Sequence, residues 1–238
     1  MSTMFREFGA GLTAFDAPLD ARMAFIRRTY LHVTGAVLAF AALLAGFQSA
    51  GIGEAILRWA SGGRWSWLLL IGAFALVGWM ARGLARSTSS AGLQYAGLAG
   101  YVLIEAVIFS PLIFLASRMG GHVLPTAAGL TLLAFGGLSA FVITTKKDFT
   151  FLGPILAIAG LVALGTIIVG AIFGFSLGIW FSAAMILLAV GSILYDTSKI
   201  VHQYRTDQHV SAALELFASV ALLFWYVLQL LMQLQRRN

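Results

Sequence analysis

The sequence predicts an all-α membrane protein that crosses the bilayer seven times as helices. Two observations lead there. Of the 238 residues, 60% are hydrophobic and only 10% charged, against about 25% charged in an ordinary soluble domain. Apolar stretches close to the roughly 20 residues needed to cross the hydrocarbon recur from Leu31 to the C-terminus, separated by short polar breaks.

The expected spans are residues 31–50, 65–81, 92–116, 124–144, 151–173, 177–195 and 212–234. Tyr30 stands ahead of the first, and Trp65 and Trp67 open the second, where interfacial aromatics anchor a helix at the headgroups. The break at 174–176 is the shortest; if it failed as a turn, two spans would merge and six would remain. The 26 Gly residues suit membrane helices, whose backbones approach closely where side chains are small. Residues 1–29 hold Arg6, Glu7, Asp16, Asp20, Arg22, Arg27 and Arg28 and lack the apolar core and small-residue cleavage site of a secretory signal. They are expected to be a polar cytoplasmic tail, too short to fold alone, leading into one transmembrane domain over 30–238.

Orientation follows from the basic residues, because basic loops stay cytoplasmic. With seven spans, the N-terminal arginines, Arg82, Arg86, Lys146, Lys147, Lys199 and Arg205 share one side, and Arg58, Arg64, Arg118, Arg236 and Arg237 the other. The two-to-one bias places the N-terminus inside and the C-terminus outside. A net charge of +6 would suggest nucleic acid in a soluble protein, but these cations sit singly or in pairs at the edges of apolar runs, where they meet anionic headgroups. The lipid bilayer is therefore the expected partner, and nucleic acid is not. The absence of Cys excludes disulfides, thiolate catalysis and Cys-based metal sites.

A charge at the centre of a membrane helix costs about 2.5 to 3.5 kcal/mol on insertion scales, so an acid inside a span needs a partner or water. Three acids qualify. Glu105 lies deep in the third span, as a neutral carboxyl hydrogen-bonded for packing or as a pore or proton site. Asp196 ends the sixth, with Lys199 three residues on and within reach on the same helical face. Glu215 opens the seventh and shares a face with Ser219, either as interhelical packing polarity or as part of a site.

Catalysis finds no support in the same residues. His32, His122, His202 and His209 all stand at or near span ends, away from any intramembrane serine, and no His-Glu-x-x-His string exists. Aspartyl chemistry needs two opposed Asp, and only Asp196 is near a span. An enzyme is not expected, and neither is a cofactor.

Two strings point further. The fourth span ends Ser139-Ala140-Phe141-Val142-Ile143-Thr144-Thr145-Lys146-Lys147-Asp148-Phe149-Thr150-Phe151-Leu152-Gly153, and the sixth ends Gly191-Ser192-Ile193-Leu194-Tyr195-Asp196-Thr197-Ser198-Lys199-Ile200. With weaker support from Ser110-Pro111, they resemble the Bax inhibitor-1 family, also called the transmembrane Bax inhibitor motif family, over about residues 21–234. The resemblance implies a bundle whose seventh helix is surrounded by the other six. It also implies a cytoplasmic acidic pair whose protonation gates a calcium leak. Asp196 matches the first acid of that pair, while Ser219 stands where the second Asp belongs; Glu215, one turn away, is a possible substitute.

A hydroxyl at that position is similar to the bacterial branch that modulates the membrane protease FtsH, whose grip the polar tail would suit. Two functions are therefore expected from the resemblance. One is a binding modulator that restrains FtsH in the bacterial inner membrane. The other is a pH-sensitive leak for calcium or protons, lined by Asp196 as a transient calcium contact and Glu105, with Lys199 or Arg82 as gating partners.

Overall fold

A computed structural model describes residues 13–63, 90–145 and 147–236, together with isolated positions between 66 and 83. Seven helices are found among the described residues: α1 (Leu19–Ser49), α2 (Ile52–Ala60), α3 (Ala91–Ser117), α4 (Val123–Thr145), α5 (Leu152–Phe173), α6 (Gly178–His202) and α7 (His209–Gln235). All but α2 are long and apolar enough to cross a membrane. The expected second span at 65–81, with Trp65, Trp67 and Arg82, lies outside the described residues apart from isolated positions.

Local chemistry sets the ends of these helices. Pro18 precedes α1, where its missing N–H and fixed φ are harmless. The Ser90 hydroxyl caps α3 by accepting from the Leu93 N–H at 3.2 Å. The break at 174–176 does hold as a turn, because Gly174 takes φ 76° and its N–H returns to the Gly170 carbonyl at 2.8 Å. A left-handed residue there ends α5 at no steric cost only if it is Gly.

Two features depart from expectation. The first helix starts at Leu19 rather than Leu31, since Phe25 and Thr29 are buried and give the polar stretch an inward face. The Tyr30 ring stacks on Phe135 of α4 at 6.0 Å. The short α2, unforeseen from sequence, packs on α3 so closely that a Cβ on Gly53 would fall 2.4 Å from the Ser110 carbonyl oxygen.

That contact lies at a built interruption. Pro111 sits inside α3 and offers no N–H to the Val107 carbonyl. The Ser110 hydroxyl donates to that carbonyl instead, at 2.8 Å, and Gln48 Nε2 of α1 donates to the Ser110 carbonyl at 2.8 Å. Membrane helices tolerate Pro where side chains re-satisfy the freed groups in this way.

In the core, α7 packs against α1, α3, α4 and α6. Phe40 of α1, Phe109 of α3 and Phe217 of α7 meet edge to face, with Phe40 5.0 Å from Phe109 and 5.8 Å from Phe217 between ring centroids. Phe109 also meets Trp225 edge-on at 4.9 Å. The helix α5 packs chiefly on α6, and its Ala163 reaches Met185 and Tyr226. Outward faces carry Leu133, Leu161 and Trp180, which are 77%, 71% and 87% exposed. So much apolar surface turned outward on helices of spanning length has lipid as its solvent, and the chain is a multi-pass membrane protein.

Candidate functional site at the joined ends of α6 and α7

The loop between α6 and α7 is short, so the two run antiparallel as neighbours and share the most extensive helix contact among the described residues. Side chains from the last turns of α6 therefore face those from the first turns of α7. Asp196, 8% exposed, meets Ser219, 7% exposed, and the Ser219 hydroxyl donates to Asp196 Oδ2 at 2.5 Å.

One turn nearer the loop lies an ion pair. Lys199 Nζ donates to Glu215 Oε2 at 2.8 Å, with the two side chains only 20% and 11% exposed. The same ammonium lies 5.2 Å from the Tyr195 ring centroid and 5.3 Å from that of Tyr204, within cation–π range. Lys199 thus reaches across to α7 instead of only along its own helix. Glu215, considered as a stand-in at Asp196, is held by Lys199, and it is Ser219 itself that meets Asp196.

The motif loop is fastened to the same end of α6. Thr144 and Thr145 turn their hydroxyls back onto the Ala140 and Phe141 carbonyls, each at 2.7 Å, and finish α4. Lys146 lies outside the described residues, and Lys147 is exposed. Asp148 Oδ1 accepts from the Thr150 N–H at 2.8 Å and from the fully buried Ser198 hydroxyl at 3.1 Å. Ser198 in turn accepts the Phe149 N–H at 2.8 Å. The Thr150 backbone N–H, ahead of its side chain and Ser198, holds the Asp148 carboxyl below its ordinary value.

Glu105 lies elsewhere. On α3, the half-buried Glu105 stands between Tyr101, which lies 6.2 Å from Phe217, and Phe109, which lies 4.9 Å from Trp225. Arg82 lies outside the described residues. Sequence reading missed a cluster at the α7 start, where Tyr95 Oη lies 3.0 Å from His32 Nε2 and 3.4 Å from His209 Nε2. Three rings on three helices carry no local pattern that spacing could reveal. Among the described residues no group of three or more His, Cys, Asp or Glu converges in a way that could hold a metal ion.

The arrangement is a single buried carboxylate answered by a hydroxyl, beside a charge pair that cancels itself.

The sequence profile of the family described as "Inhibitor of apoptosis-promoting Bax1" matches residues 22–237. The chain belongs to this Bax inhibitor family. Among its relatives, the "Modulator of FtsH protease YccA" of Escherichia coli (strain K12) is 36% identical over 141 residues, covering 58% of this chain and 60% of that protein. A "Golgi anti-apoptotic protein" of vaccinia virus (strain Lister) is 27% identical over 237 residues, covering 97% of this chain and 94% of the other. An "Uncharacterized membrane protein" of Vibrio cholerae is 35% identical over 152 residues, covering 60% and 64%. The match thus spans about three fifths of the length of the two bacterial relatives named here. Neither functional name among these relatives describes an enzyme.

Proposed function

We propose that this Bax inhibitor family member resides in the bacterial inner membrane and restrains an FtsH-type membrane protease. The observation that carries the reading is the 36% identical Escherichia coli relative named as a modulator of that protease. The shut Asp196–Ser219 contact agrees with a site that packs helices and needs no second acid to do so. In this reading the spans number seven with α7 at the axis, the N-terminus and the α6–α7 loop face the cytoplasm, and the C-terminus is periplasmic. The polar stretch ahead of α1 offers the protease a handle, and the bundle from α1 onward resists extraction. Purification from mild detergent tests it. An FtsH-type protease should co-purify with the full chain and be lost on deleting residues 1–20, and its absence from both preparations would remove the reading.

A second reading is supported by Asp196 itself, a buried acid in a membrane helix, which by default marks an ion or proton path. Carboxylate and hydroxyl oxygens suit a hard cation such as calcium. Reconstituted vesicles that leak no calcium anywhere from about pH 5 to 8, where perturbed acids titrate, would exclude it.

A further inference from the structure

The stretch ahead of α1 is bound to the bundle. Residues 13–17 form a compact turn in which the Thr13 hydroxyl donates to Asp16 Oδ2 at 2.5 Å and the Ala17 N–H to the Thr13 carbonyl at 3.0 Å. The turn is pinned to the α6–α7 loop. The Ala14 N–H donates to the Tyr204 carbonyl at 2.7 Å, and Thr13 pairs with Arg205 as an isolated antiparallel bridge. Ala14 has no exposed surface and packs with Phe25, Ile200, Tyr204, Ala212, Ala213 and Leu216. The Phe15 ring stacks on His202 at 5.6 Å between centroids. From α1, Arg22 Nε donates to the Ala14 carbonyl at 2.6 Å, and a second guanidinium nitrogen donates to the Phe15 carbonyl.

What lies beneath is the candidate site. Ala14 bonds to Tyr204, and the Tyr204 ring carries the Lys199 ammonium that pairs with Glu215. The contacts span only five residues at one end of the bundle, so they can open locally while the bundle stays folded.

We propose that residues 13–17 are a strap that closes this end of the bundle over Tyr204 and the Lys199–Glu215 pair, and that a partner drawing on the chain ahead of it must strip the strap before it can pull on α1. The closure stands on the geometry alone; its role as a barrier to extraction rests on the protease reading above.

The absence of Cys makes the test clean. Antiparallel partners bring Cα atoms about 4.5 to 5.5 Å apart, within disulfide reach. Thr13→Cys with Arg205→Cys should therefore cross-link on mild oxidation of the detergent-solubilised full chain. A single reporter thiol, Ala213→Cys, should be shielded from a maleimide and react about tenfold faster or more once Ala14→Arg forces the strap off. Failure of the disulfide to form, or equal reactivity with and without Ala14→Arg in a protein of unchanged helical content, overturns the strap. Incubation with purified FtsH-type protease then compares the oxidised and reduced cross-linkable chain. Slower degradation of the oxidised form is expected. Equal degradation of both overturns the barrier role while leaving the protease contact intact, and degradation of neither overturns it too, because the bundle then resists with the strap free, while the thiol results still decide the closure.

Discussion

Ser219 on α7 donates its hydroxyl to Asp196 on α6 at 2.5 Å, both side chains being more than nine-tenths buried. Serine at this position removes the partner that would compete for a proton and supplies one that stabilises the carboxylate. The joined ends of α6 and α7 are thereby held by a contact that does not depend on two acids titrating together.

Replacing the donor is expected to weaken that junction. Ser219→Ala leaves a buried carboxylate short of one hydrogen bond, a loss of about 1.5 to 3 kcal/mol for a bond to a charged group. Thermal unfolding in detergent should show a lower Tm, with Ser219→Thr close to the parent.

Ser219→Asp should add a dependence on pH at this pair. Two carboxylates at hydrogen-bonding distance cannot both ionise freely, so the folded state retains a proton that the unfolded chain releases. More protons bound when folded means stability that falls as pH rises. A Tm that declines from acid to neutral pH in the variant, set against the parent measured alongside, is the expected outcome; superimposable profiles would refute it.

The Lys199–Glu215 pair should behave as a coupled unit. Removing one partner strands a largely buried charge, which costs about 3 kcal/mol or somewhat less at this degree of exposure, whereas removing both costs little. Lys199→Met and Glu215→Leu are each expected to lower Tm, and the double variant to recover most of the loss. Additive losses in the double-mutant cycle would show that the pair contributes no coupling.

Asp148 makes a smaller contribution with a defined sign. The Thr150 N–H and the Ser198 hydroxyl lower its folded-state pKa, so the stabilisation is present above the ordinary carboxylate value and is lost as pH falls through the depressed one. Being exposed, the group contributes little. Asp148→Asn should flatten the acid limb of the stability profile slightly and leave the neutral region unchanged apart from a uniform offset.

Gly53 marks the closest approach of α2 to α3. A Cβ there would lie 2.4 Å from a backbone oxygen that cannot rotate away, so Gly53→Ala must displace one helix, at a cost of about 1 to 3 kcal/mol. A variant with the parent Tm would show that α2 is not held against Ser110.

The spanning helices were legible because each carries a long apolar run, and Asp196 and Glu215 stood out because an acid in such a run is costly. Pairing was not legible. Helical spacing placed Lys199 near Asp196 and could not show that it reaches Glu215, since that contact depends on how α6 and α7 register across their loop. The start of α1 is hidden because Arg22, Arg27 and Arg28 make 19–29 read as tail, although Phe25 and Thr29 give it a buried face. The strap carries no periodic signal, being five residues held by backbone bonds to Tyr204 and its neighbour. Arg82 and Lys146 lie outside the described residues.

The most direct test of the proposed activity is the half-life of a membrane substrate of FtsH in bacterial cells with and without this chain at matched expression. Restraint of the protease predicts a longer half-life when the full chain is present, and a shift back toward the control when residues 1–20 are deleted. A half-life identical in all three strains would contradict the account.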